Sequence, residues 1–283
     1  MMLQCHHGIE PNKILILSLL KACSNVDTLV KGRLIHTQIV DLELDLDIVI
    51  TNTLMDMYAK HGFLEKAQKT FDKLPFRDVI VWTSLITGYT ENGKCEQALE
   101  CLELMKLDGI SLDVVGFVCG LKACGISGAK QKGLEMHSEI TIKGLSESNS
   151  IIRSLVDMYA RCGNLEDAQK ALCALTKQDA ISWSSLIAGY AEAGNCEMIG
   201  KCLGMMHEHG LKPDCKTFSS LLGACVHAGE VAEGYKYFGT MKSDYDITPS
   251  IEHFNSMIGL LAHVGCIEEA SKLIVTMPIS PDM

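Results

Sequence analysis

Aromatic side chains make up only 6% of the sequence, and only six prolines occur in 283 residues. Packing therefore falls to Leu, Ile, Met and Ala, and long stretches are free to be helical. No run of 18 or more apolar residues appears, so no membrane-spanning helix is expected. Paired C-x-x-C zinc spacing is missing, and the interval from Cys119 to Cys124 is too wide for a zinc knuckle. There is no Walker-type phosphate loop, no G-x-S-x-G elbow and no H-E-x-x-H helix. The expectation is a chain with no catalytic residue, no metal and no cofactor. Residues Met1 to Glu10 carry neither an Arg-rich presequence nor a secretory apolar core. Either the mature protein needs no address, or the true N-terminus lies upstream. Basic residues are also short, 25 against 35 acidic ones, for a net charge of -10. That balance opposes non-specific nucleic-acid binding, although one groove can be neutral or basic on an acidic protein.

Cysteine is plentiful. Most of the 13 cysteines fall inside apolar helical patterns and read as reduced, small, buried residues.

Internal periodicity carries the most information. Trp82 recurs as Trp183, 101 residues on, and Asp56-Met57-Tyr58-Ala59 recurs as Asp157-Met158-Tyr159-Ala160 at the same offset. Cys23, Cys124 and Cys225 repeat that spacing twice, and His36 with His137 share it. So do Cys95 with Cys196 and Cys101 with Cys202. Segment 79–93 matches 180–194 at nine of fifteen positions.

A unit of 101 residues is too long for one helical hairpin. It divides into modules of about 35, 31 and 35 residues: 13–47, 48–78, 79–113, 114–148, 149–179, 180–214, 215–250 and 251–282. Residues 1–12 read as the tail of one more module. Glycine occupies the fifteenth place in seven of these eight, from Gly62 to Gly265, and Asp27 takes it in the first. A glycine after about twelve helical residues is a stop signal, because it reaches positive φ without a Cβ clash. All six prolines lie in module tails. Each module thus reads as helix A, a Gly turn, helix B and a short loop. One such hairpin cannot bury its apolar face alone, so stacked neighbours are expected to build a continuous core with every helix A lining one surface.

At this point the strings VWTSLITGYTENG, LMDMYAKHGFLEKAQKTFDKLPFRD and SLLGACVHAGEVAEGYKYF resemble plant pentatricopeptide repeat proteins of the PLS subclass. That subclass alternates a 35-residue P module, a long L module and a short S module. The order here reads L, S, P, L, S, P, L, S after the fragment of a P module. The C-terminal E/DYW extension of that subclass has no counterpart in this chain, which ends at Met283. The resemblance implies an all-α, right-handed solenoid of tandem helix-turn-helix repeats that binds single-stranded RNA in an organelle, most often for C-to-U editing. The organelle implied is the mitochondrion, or alternatively the chloroplast. Implied partners are multiple organellar RNA editing factors, which bind L modules, and a deaminase supplied in trans.

The resemblance further implies one base per module, with modules running N to C along RNA 5′ to 3′. The fifth residue of helix A and the last residue of the module select the base. Asn52 with Asp78 and Asn255 with Asp282 imply U. Thr83 with Asp113 and Ser184 with Asp214 imply G. Leu17 with Asp47 and Val118 with Ser148 imply little choice, and Ser219 with Ser250 is ambiguous. Arg153 with Asp179 departs from the pattern, because Arg either touches phosphate or blocks the slot. The second residue wedges between base planes. Ile14, Val49, Ile80, Val115 and Ile181 fit that role, whereas Ser150, Lys216 and Glu252 do not. The implied site resembles 5′-nUGnnGnU-3′. The residue chemistry agrees: splayed bases expose edges that short polar side chains read, and an apolar wedge tolerates any base.

Plainer readings compete. Asp before a helix is an ordinary N-cap, a role that can coexist with base reading. Trp82 and Trp183 read as inter-repeat core. His137-Ser138-Glu139 matches H-x-E of zinc deaminases, but no P-C-x-x-C follows and His137 is the counterpart of His36. His207, Glu208 and His209 read as solvated surface. A protein-binding scaffold like a tetratricopeptide array shares the architecture and suits the acidic charge, but would keep a uniform 34-residue period. Groove charge separates the two, neutral-to-basic favouring RNA and acidic favouring a peptide. A truncated, non-functional product is the third reading.

Overall fold

The computed structural model describes residues 13–24, 29–44 and 46–277. Among them the secondary structure is sixteen helices and no strand. The helices pair in chain order: α1 (Lys13–Cys23) with α2 (Leu29–Asp41), α3 (Ile48–Lys60) with α4 (Leu64–Asp72), and α5 (Val79–Glu91) with α6 (Cys95–Leu107). Next come α7 (Val114–Ser127), α8 (Lys130–Ile142), α9 (Asn149–Arg161), α10 (Leu165–Ala174), α11 (Ala180–Glu192) and α12 (Cys196–Glu208). The last four are α13 (Cys215–Ala228), α14 (Val231–Ser243), α15 (Ile251–His263) and α16 (Ile267–Thr276). The fold is an all-α solenoid of helical hairpins.

The chain forms two compact units, Met1–Ser127 and Gly128–Met283. In the first, α3 packs on α1 and α5, and α5 packs on α7, while α2, α4 and α6 each lie against odd-numbered helices only. In the second, α11 packs on α9 and α13, and α13 packs on α15, with the even helices again on the other side. Each unit is therefore two layers, one of odd and one of even helices. The core between them is Leu, Ile, Met and Ala with a few aromatics, as the composition requires. Trp82 and Trp183 are buried, and Trp82 meets Phe71 edge-on with ring centroids 4.6 Å apart.

Hairpin turns follow from glycine. Gly62, Gly93, Gly128, Gly163, Gly194, Gly229 and Gly265 all have positive φ, from 66° to 85°. At Gly62 the chain reverses so that the amide of Phe63 donates back to the Tyr58 carbonyl at 2.9 Å, closing the helix end. Asp27, the residue expected at the matching place in the first hairpin, lies outside the described residues.

Repeated polar contacts fix the hairpins against each other. Nδ1 of His36 and the hydroxyl of Tyr58 are 2.8 Å apart, and their counterparts His137 and Tyr159 are 2.6 Å apart. The Tyr89 hydroxyl donates to Gln68 at 3.0 Å, and that of Tyr190 donates to Gln169 at 3.2 Å. His137 is thus tied to Tyr159 in the packing of α8 on α9. Cys101 and Cys202 are buried thiols, and burial pushes both up to about 11. They are protonated and inert at neutral pH.

Candidate nucleic-acid interface

The odd helices from α3 on begin alike: a residue just before most of them caps the helix, the second helical residue points to solvent, and the fifth varies in depth. The capping role is clearest for aspartate. Asp78, Asp113, Asp179 and Asp214 each accept, through Oδ1, the amide three residues on, at 2.8–2.9 Å. Asp47 accepts the amides of Val49 and Ile50. A carboxylate there satisfies amides that have no partner inside the helix and lies at the positive end of the helix dipole. Ser148 makes no such bond; its hydroxyl meets that of Ser150 at 2.9 Å. Ser250 forms a capping box with His253.

The residues expected to wedge between bases are all exposed. Ile14, Val49, Ile80, Val115 and Ile181 range from 50% to 73% exposed. Aliphatic side chains that only packed the core would be hidden, so these five offer their surface outward. Ser150, Lys216 and Glu252 are exposed at the equivalent places.

The fifth residues lie at different depths. Asn255 is exposed, Asn52 is half-buried, and Thr83 and Ser184 are only 6% and 9% exposed. Leu17, Val118 and Ser219 are half-buried, and Arg153 is exposed. Thr83 and Ser184 sit deep because their hydroxyls donate to their own helix, to the carbonyls of Val79 at 2.8 Å and of Ala180 at 2.7 Å. A hydroxyl whose proton is held this way is left with acceptor capacity only. Asn52 Oδ1 is buried without a partner.

Several of the expected pairs come together. Ser184 Oγ lies 3.4 Å from Asp214 Oδ1 and 2.6 Å from Thr217 Oγ1, which is itself 2.8 Å from Asp214 Oδ1, so the Thr217 proton is shared between Ser184 and Asp214. Arg153 Nε pairs with Asp179 Oδ2 at 2.5 Å. Thr83 and Asp113 both border Gly116. Asn52 and Asp78 share no hydrogen bond, and Asp282 lies outside the described residues. Burial opposes ionisation of Asp179, but the Ser182 amide and Arg153 outweigh it and hold the carboxyl below its usual range. Lys13 and the amides of Ile50 and Val49 do the same for Asp47, again against burial.

One groove of about 470 Å³ in the second unit gathers the whole set: Ile181, Ser184, Asp214 and Lys216, with Asp157 and Arg161 at the side. Its charged lining is Asp157, Glu192 and Asp214 against Arg161 and Lys216, one more carboxylate than cation, with Arg161 paired to Asp157. A second groove, of about 600 Å³, holds Glu252 and Asn255. Among the described residues no cluster of His, Cys, Asp and Glu is arranged to hold a metal.

The PPR repeat family matches residues 77–125 and 178–227, and the PPR repeat matches 49–79, 153–178, 216–245 and 252–279. The chain belongs to the pentatricopeptide repeat family. Among plant relatives, a pentatricopeptide repeat-containing protein of Arabidopsis thaliana is 36% identical over 98% of this chain and 51% of its own length. A chloroplastic relative from the same plant is 35% identical over 84% of this chain and 32% of its own. A mitochondrial one is 33% identical over 87% and 38%. The chain thus spans about half or less of these relatives. Its fold is similar to that of the pentatricopeptide repeat protein PPR10 crystallised with an 18-nt psaJ RNA element, with a TM-score of 0.79 over 95% of this chain and 40% of that one, at 19% identity.

Two residues of this pentatricopeptide repeat chain escaped the sequence reading. Thr217 joins Ser184 to Asp214, and the capping-box spacing Asp214-x-x-Thr217 signals it. Ser185 donates to Asp157 at 3.1 Å beside the same groove, and nothing in the spacing points to that pair.

Proposed function

We propose that the chain binds single-stranded RNA in an organelle, one base per module over the division 13–47 through 251–282, and that it selects bases without catalysing chemistry. The observation that carries this reading is the groove where Ile181, Ser184 and Asp214 converge. Ile181 offers an exposed aliphatic face on which a base can stack. Ser184, its proton held by Ala180, is an acceptor, and Asp214 is an acceptor by charge. Two acceptors side by side match the two donors, ring N–H and amino group, on the Watson–Crick edge of guanine. The same logic applies to Thr83 with Asp113. Where Asn replaces the hydroxyl, at Asn52 and Asn255, the amide offers both a donor and an acceptor, which suits uracil. The complex of PPR10 with RNA supports this reading, and so do chloroplastic and mitochondrial relatives.

The role within organellar RNA processing that fits best is recognition for C-to-U editing in a PLS-type protein. The deaminase and the editing factors that bind L modules would come from other chains. Fluorescence anisotropy with labelled RNA tests the reading. The chain should bind 5′-nUGnnGnU-3′ more tightly, by about tenfold or more, than the same RNA with both G positions changed to C. Equal affinity for the two RNAs would refute it.

A further inference from the structure

The carboxylates that close the modules divide their two oxygens between two tasks, and they differ in the second. Asp47, Asp78, Asp113, Asp179 and Asp214 all use Oδ1 to cap the following helix. For Asp78, Asp113 and Asp214, no group among the described residues is bonded to Oδ2, which is open to a ligand's N–H. For Asp179 that oxygen holds Arg153 Nε at 2.5 Å, and for Asp47 it holds Lys13 Nζ at 2.6 Å. In both cases the cation comes from the start of the same module's helix A, α9 or α1.

We propose that Arg153 occupies the acceptor a base would need, so that the module 149–179 holds its nucleotide without reading it, and that Lys13 does the same for 13–47. The inference rests on the base-reading function above and assigns two positions where that reading is switched off. A charge-assisted bond to a guanidinium is stronger than a neutral N–H donor from a base can replace. Arg153 is itself exposed and sits at the fifth place of the helix, where Ser184 lies in the module 180–214. The long side chain therefore fills the slot while its partner is held. The remaining guanidinium N–H groups of this exposed side chain are suited to phosphate, which carries no base identity.

The test measures binding of RNAs carrying each of the four bases opposite the module 149–179. Wild type should bind all four within about twofold. Arg153→Asn recreates the pairing of Asn52 with Asp78 and should prefer U by about tenfold. Arg153→Ser recreates the pairing of Ser184 with Asp214 and should prefer G by a similar factor. Arg153 is exposed, so both variants should fold, and circular dichroism checks this. A control arm changes G to C opposite the module 180–214. If the control discriminates but wild type also discriminates opposite 149–179, or neither variant gains a preference, this inference is overturned alone. If the control is flat, base reading itself falls and the inference with it.

Discussion

Ser184 and Asp214 are thirty residues apart in sequence, and their side-chain oxygens lie 3.4 Å apart at the floor of one groove. The contact exists because α11 and α13 pack side by side, so the fifth residue of one helix meets the cap of the next. Thr217 bridges the two and fixes both rotamers. A ligand therefore meets acceptors already in place, which lowers the ordering cost of binding.

The small number of cations in that groove sets the salt dependence. Arg161 and Lys216 are the cations lining it, and Arg161 already has a carboxylate partner. With these two and Arg153 as about three phosphate contacts on a single strand, raising monovalent salt about fourfold should weaken RNA binding by only about twentyfold. Filter binding across a salt series checks this, and a loss of a hundredfold or more would point to an electrostatic footprint that the groove lacks.

Close approach of α9 and α11 depends on a missing side chain. A Cβ at Gly189 would lie 2.7 Å from Leu165 Cδ2, 3.0 Å from the Ala160 carbonyl oxygen and 3.1 Å from Ala160 Cβ. Backbone cannot yield as a side-chain tip does. Gly189→Ala should cost about 1–3 kcal/mol. Gly204→Ala, with nothing within 4 Å of the new methyl, should be neutral or stabilising by up to about 1 kcal/mol. Urea unfolding of the two variants should therefore move in different directions, and equal losses would contradict the packing described.

Gly200 is the counterpart of Leu99 in the internal repeat, and the two differ in burial. Leu99 is buried, whereas Gly200 opens onto a groove of about 370 Å³ lined by Ile199, Leu221 and Ala224 together with Glu230, Glu233 and Lys236. Gly200→Leu removes a helix-interior glycine and covers apolar surface. Each effect contributes about 1 kcal/mol, so the melting temperature should rise by a few degrees. A lower melting temperature would show that the groove cannot accept the side chain.

Acid should remove the contribution of Asp179. Its folded-state value lies below the ordinary 3.8, so the unfolded chain takes up the proton first. The stability it supplies is complete above 3.8 and is lost as pH falls through the lower folded value. The melting-temperature gap between wild type and Asp179→Ala should be full at pH 7, begin to narrow below 3.8 and be smallest once pH has passed the lower folded value. A gap that persists in acid would place the effect elsewhere.

The hairpin fold was legible because its signals are local and repeated. Glycine stops such as Gly163 and Gly229, and the burial of Trp82 and Trp183, follow from backbone freedom and side-chain volume alone. The depth of the site was not legible. Thr83 and Ser184 were expected to line an open face, yet both are buried, with hydroxyls in the first turns bonded back to their own helix. The pairing of Arg153 with Asp179 was equally hidden. Spacing places Arg153 at the fifth position but does not say whether so flexible a side chain turns to phosphate or to its own module's carboxylate. Contacts such as Ser185 with Asp157 depend on how adjacent helices are rotated, which periodicity fixes only roughly.

The central claim, that a paired side chain chooses the base, is tested most directly by exchanging one atom in the pair. Asp214→Asn keeps the cap, since Asn also caps well, but can turn a donor toward the base where the carboxylate only accepts. Anisotropy titrations with G or A opposite the module 180–214 should show wild type preferring G and Asp214→Asn preferring A. If both proteins keep the same preference, or neither has one, the residue pair does not read the base.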